Sequence, residues 1–93
     1  MSVTFVLPGQ LRPLAGGRST VALERDVSSV AEALNALRAD YPHVYDRILN
    51  ERRELRPHVN VFVGMDDIRW SGGLGAPVPE GSEVVILPSV SGG

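Results

Sequence analysis

One short segment does most to limit what this chain can become. In "DVSSVAEALNALRADYP" the apolar residues Val30, Leu34 and Leu37 recur at i, i+4 and i+7, and Ala31 and Tyr41 widen the stripe. Ser29 and Glu32 make the S-x-x-E pattern that satisfies free amides at a helix start. Pro42, which has no amide to donate, stops the pattern. The spacing predicts one amphipathic helix of about three turns.

Elsewhere the period is two. "SVTFVL" (residues 2–7) puts Val3, Phe5 and Leu7 on one face, and "STVAL" (19–23) is a second strand after the turn-rich "PGQLRPLAGG". "VNVFV" (59–63) is a third, "GMDD" a turn, "IRW" a short strand, and "EVVIL" (83–87) the last, reached through the loop "SGGLGAPVPEGS". The stretch "HVYDRILNERRELRPH" reads as polar and irregular, with one short helical turn around residues 44–49. There is no internal repeat or domain boundary.

A lone helix cannot cover both faces of such a sheet. The economical solution is an α+β fold, the β-grasp or ubiquitin-like roll. It has a mixed sheet of four to five strands, one main helix on one face, and the first and last strands parallel in the centre. The expected organisation is a β-grasp body over residues 1–87 and a flexible diglycine tail over 88–93. The last strand does not alternate. Val84 and Ile86 point one way, Val85 and Leu87 the other, and all four are apolar. One sheet face therefore keeps apolar surface that the helix cannot bury, which usually marks a protein partner. The residues expected there are Leu87 and Val85, with Phe62 and Phe5 or Val6, and Arg69 or Arg56 at the rim.

Composition removes several classes of function. A formal charge of −2 with no basic stripe argues against nucleic acid. The opening "MSVTFVLPGQ" lacks the basic region and apolar run of a signal peptide. No stretch approaches the roughly 20 apolar residues of a membrane span, so a cytoplasmic protein without a membrane partner is expected. With no cysteine, there is no disulfide, thiol nucleophile or thiolate zinc site. All nine basic residues are arginine, so no lysine Schiff base can form.

The chain closes on "PSVSGG". Pro88 offers no ladder donor, Ser89 and Ser91 are small, Val90 is the one sizeable side chain, and Gly92 and Gly93 have no Cβ. Extended, these six residues reach roughly 20 Å, enough to thread a narrow channel in a partner and deliver a C-terminal carboxylate. An ionised carboxylate is a poor acyl donor. Adenylation with ATP would activate it, and a sulfur donor could then convert it to a thiocarboxylate, nucleophilic at neutral pH as thiolates are. In a chain without cysteine, any carried sulfur must ride on Gly93.

The sequence "VNVFVGMDDIRWSGGLGAPVPEGSEVVILPSVSGG" carries a "VN" strand, an acidic turn, a Gly-rich loop, a Pro-x-Gly-x-Glu-Val turn into the last strand, and a Pro-x-x-x-Gly-Gly end. In these features the chain resembles the ThiS/MoaD-type ubiquitin-like sulfur carrier proteins, along essentially its whole length. It looks closest to the CysO-type members of cysteine biosynthesis, through the "R-x-SGGL" likeness at Arg69, Ser71, Gly72, Gly73 and Leu74. The resemblance implies a non-enzymatic cosubstrate with no bound cofactor. Its Gly93 would be activated by an E1-like adenylyltransferase/sulfurtransferase of the MoeB/ThiF type that consumes ATP. Gly92, Ser91, Val90, Ser89 and Pro88 would be read as the tail. The sulfur acceptor would be a cysteine synthase, a thiosugar synthase, or a molybdopterin or thiamin pathway enzyme, with a metalloprotease that processes the C-terminus as a further partner. The alternative is a ubiquitin-like modifier joined to target lysines through Gly93.

Other motifs read more simply. His43 and His58 have no thiolate companion and are expected as exposed loop residues rather than metal ligands. Asp66 and Asp67 fit a solvated turn. "GGLG" lacks the strand–loop–helix setting of a phosphate cradle, and Ser89 and Ser91 have no histidine partner in sequence context.

Overall fold

The computed structural model describes residues 2–88. Five strands form one mixed sheet in the order β2-β1-β5-β3-β4. They are β1 (Ser2–Val6), β2 (Thr20–Glu24), β3 (Val59–Val63), β4 (Asp66–Asp67) and β5 (Glu83–Pro88). β5 lies in the centre, parallel to β1 and antiparallel to β3, as the roll requires.

The helix α1 (Val30–Asp40) begins where its capping pattern sits. The Glu32 amide donates to Ser29 Oγ at 3.2 Å, while the Glu32 carboxylate accepts from the Ser28 amide at 3.0 Å. The return limb of the box is thus displaced by one residue. Its neighbourhood is tied to the loop before β5, because Val30 donates to the Ala76 carbonyl and Val78 donates to that of Ser28. The glycine loop "GGLG" serves this junction. Gly72 stands at φ +112, a conformation that suits glycine, and a 3-10 turn (Gly73–Gly75) carries the chain to Ala76.

Three elements differ from the sequence expectation. A second helix, α2 (Pro42–Ile48), extends the one short helical turn expected around residues 44–49. Pro42 ends α1 and also occupies the first turn of α2, where its missing donor costs nothing. α2 buries Val44, Tyr45 and Ile48, and α1 buries Val30, Ala33, Leu34 and Leu37. Next, the short strand is Asp66–Asp67, and Ile68–Trp70 forms a 3-10 turn that drives Ile68 into the core. Lastly, β5 runs one residue past Leu87, since Pro88 pairs with Val59.

The core lies between the helices and one sheet face. Val3, Phe5, Val21, Leu23, Val61, Val84 and Ile86 supply that face, each at most 5% exposed. The alternate residues of the same strands point the other way.

Candidate functional site: the open sheet face and the root of the tail

Strand register fixes what the second face presents. Val85 pairs with Phe62 on one side and with Val6 on the other, and Leu87 stands opposite Asn60. Val85, Phe62 and Val6 are half-buried, while Leu87 is 42% exposed. These side chains form an apolar strip across the three central strands, ending at Pro88. Leu87, Val85 and Phe62 are brought together here as the sequence suggested.

Phe5 is not. It is fully buried, pairs with Val84, and belongs to the helix-covered face. Side chains alternate along a strand, so the exposed β1 position beside Val85 falls to Val6. Arg56 is also elsewhere: its Nε donates to the Asp46 carbonyl at 2.7 Å, on the α2 side.

Arg69 is placed by a small polar network. Its Nη2 donates to Asn60 Oδ1 at 2.6 Å and to Asp67 Oδ2 at 3.1 Å, and its Nε reaches Asp67 Oδ1 at 3.4 Å. Asp67 in turn caps the 3-10 turn by accepting the Arg69 amide at 2.9 Å. The side-chain hydrogen bond from Arg69, followed by the amide hydrogen bond, holds the Asp67 carboxyl below its ordinary value of 3.8. Because Asn60 faces Leu87 across the ladder, the guanidinium is pinned beside the apolar strip. A fixed Arg loses less rotamer freedom when a partner arrives.

Sequence reasoning missed two members of this network. Asn60 carried a signal, being the polar residue at an outward position of "VNVFV". Asp67 carried another, an acidic residue two positions before Arg69, in the spacing of a cap.

The tail positions Ser89, Val90, Ser91, Gly92 and Gly93 lie outside the described residues. Pro88, at their root, is exposed at the end of β5. Among the described residues no three His, Asp or Glu side chains gather as a metal site. His58 is an exposed loop residue, whereas His43, also exposed, sits in α2. No described helix is long and apolar enough to cross a membrane.

Comparison with known proteins adds four findings. Residues 5–93 match the family described as ThiS. The sulfur carrier protein CysO of Mycobacterium tuberculosis (strain ATCC 25618 / H37Rv) is 35% identical over 95 residues, covering 100% of both chains. Among solved structures, the Amycolatopsis orientalis BexX/CysO complex matches at a TM-score of 0.84 and 34% identity, over 98% of this chain and 99% of that one. The small archaeal modifier protein 1 of Haloferax volcanii matches at a TM-score of 0.80 and 28% identity, over 96% and 98%. These neighbours share the ubiquitin-like β-grasp architecture seen in this chain.

Proposed function

This chain belongs to the ThiS family, and from that premise we propose that it is a sulfur carrier whose C-terminal glycine, Gly93, bears the sulfur. The observation that carries the reading is end-to-end correspondence with a CysO sulfur carrier at 35% identity. It is supported by the strand geometry, which brings an apolar strip to the root of "SVSGG".

The chemistry balances with ATP as the activating co-reactant. The Gly93 carboxylate attacks the α-phosphorus of ATP, forming an acyl adenylate and releasing pyrophosphate. A persulfide on the activating enzyme then displaces AMP through its outer sulfur, giving an acyl disulfide. After reductive release of the donor by a thiol, sulfur remains on the acyl carbon as a thiocarboxylate. The thiocarboxylate delivers that sulfur to an acceptor enzyme, and hydrolysis of the resulting thioester or its equivalent returns the carboxylate. None of these steps asks for a catalytic side chain on the carrier.

The ATP-using partner is an E1-like adenylyltransferase/sulfurtransferase of the MoeB/ThiF type. The acceptor is a biosynthetic synthase, for which cysteine synthesis is favoured by the CysO likeness and thiosugar synthesis is the next candidate. A C-terminal metalloprotease fits the same scheme, as an enzyme that would expose or regenerate Gly93. The strip of Val85, Leu87, Phe62 and Val6, with Arg69 at its side, is the proposed docking face. Gly92 and the residues from Pro88 to Ser91 thread the partner's channel.

Incubation with the E1-like enzyme, ATP and a sulfide source tests this. The intact mass should rise by one oxygen-to-sulfur exchange located at Gly93; an unchanged mass with an active enzyme refutes the reading. A second reading, conjugation to target lysines, is favoured by the likeness to a small archaeal modifier protein. It predicts isopeptide adducts through Gly93 on other proteins under the same conditions.

A further inference from the structure

At the root of the tail, on the side of α2 and bordering the open sheet face at Leu87, the structure has a groove of about 170 Å³. Its floor is apolar, with Leu11 from the loop after β1, Val59 at the start of β3, and Ile86 and Leu87 of β5. Its volume is comparable to the roughly 150 Å³ cavity that accepts a benzene ring, so one branched or aromatic side chain fits. Arg47 of α2 and His58 also line it, and among the described residues no carboxylate does. Arg47 is exposed in the last turn of α2. Arg47 thus puts a permanent positive charge at the rim of an apolar groove, on a protein of net charge −2.

We infer that this groove is where the activating enzyme selects this carrier, seating an apolar side chain on Leu11 and Val59 and pairing an adjacent carboxylate with Arg47. The inference rests on the proposed function and specifies the partner contact. Two observations favour the activating enzyme. The tail beyond Pro88 offers a single sizeable side chain, Val90, so it carries little information by which one carrier could be told from another. The activating enzyme must choose this chain before any sulfur marks it, and must therefore read folded residues near the root. Pro88 lines the groove, so an enzyme that takes up Gly93 comes against it. A threaded, extended tail carries the nucleotide away from Arg47, so the anion assigned there is a side chain of the enzyme. Five extended residues hold the adenylated carboxylate up to about 17 Å from Pro88 when the tail is threaded.

The test uses the full chain and its E1-like enzyme, with ATP–pyrophosphate exchange measured against carrier concentration. Arg47→Glu should raise KM about tenfold or more at low salt with kcat within about twofold, and Arg47→Lys should stay near the parent. In about 1 M NaCl, where the screening length falls to about 3 Å, the gap between Arg47→Glu and the parent should close. A change that merely disturbed α2 would not follow salt in this way. Should Arg47→Glu lower the melting temperature, His58→Glu on the same groove carries the same expectation. Unchanged KM in a folded variant overturns the inference while leaving sulfur carriage intact. An effect confined to sulfur delivery assigns the groove to the acceptor, and one confined to self-association assigns it to a second copy. Either result also overturns it. If the parent chain supports no exchange at all, the functional reading fails first and the inference with it.

Discussion

Leu87→Glu probes the open sheet face where its cost can be estimated. Leu87 is 42% exposed, so docking can remove a little under half of its surface from water. Full burial of a leucine side chain stabilises by about 1.5–3 kcal/mol, and the remaining share at Leu87 corresponds to about 0.6–1.3 kcal/mol. A carboxylate there forfeits that gain and adds the cost of desolvating a polar group without a partner, about 1–3 kcal/mol from mutational data. Together the loss is about 2–4 kcal/mol. At 1.4 kcal/mol per factor of ten, KM for the carrier in ATP–pyrophosphate exchange should rise roughly 30- to 1000-fold. The fold should tolerate the change, because the side chain faces solvent opposite Asn60 and β-strand preferences span only about 1 kcal/mol. Circular dichroism and thermal unfolding establish that the variant is folded. A KM within about threefold of the parent in a folded variant would refute the assignment of this face to docking.

Three further outcomes are expected. Deleting Gly93, or adding one residue after it, should abolish adenylation and thiocarboxylate formation, read by exchange and intact mass, with no change in melting temperature; normal loading of either variant would remove Gly93 from the mechanism. Tyr45→Phe should be neutral or stabilising by about 1 kcal/mol in urea unfolding, because the Tyr45 hydroxyl is buried without a hydrogen-bond partner, and a loss above 1 kcal/mol would contradict this. The Asp67 carboxyl is held below 3.8 in the folded chain, so its contribution to stability is complete above its unfolded value and is lost as pH falls through the folded value. Asp67→Asn should therefore weaken the acid dependence of unfolding below about pH 4, and an unaltered acid limb would contradict the pairing with Arg69.

How much of this could be read from residues varies with how local each cause is. α1 was legible because its apolar period, its capping serine and its stopping proline agree. α2 was legible only as one helical turn, since Val44, Tyr45 and Ile48 lie within a seven-residue helix among charged neighbours, and packing against α1 and the core completes it. The short strand was shifted because two aspartates have poor strand propensity. Gly64 at φ +61, followed by Met65, makes the two-residue turn that aligns Val63 with Asp66 and forces the pairing. Phe5 and Val6 differ by one position, and period-two patterning names a face only after register is known. The groove at Arg47 was invisible because it joins residues from the β1 loop, α2, β3 and β5, which no sequence window holds together.

The central strand explains how one small fold can hold a reactive end without being altered by it. In β5, Val84 and Ile86 are at most 1% exposed and bind the strand into the core, while Val85 and Leu87 remain on the other face. Alternation thus lets six residues serve cohesion and recognition at once, and a partner can cover one set without disturbing the other. In the proposed scheme the body offers an activated Gly93 neither a thiol nor a lysine amine. It has no cysteine to take the acyl group, and its nine basic residues are all arginines, whose guanidinium stays protonated and non-nucleophilic where a lysine amine would be captured in part. An acyl adenylate held beside such a surface has water and the enzyme's own sulfur as its competitors, and a closed channel removes the water. In the proposed scheme the fold therefore supplies address and the enzyme supplies activation, and β5 is the strand that joins the packed core to the tail.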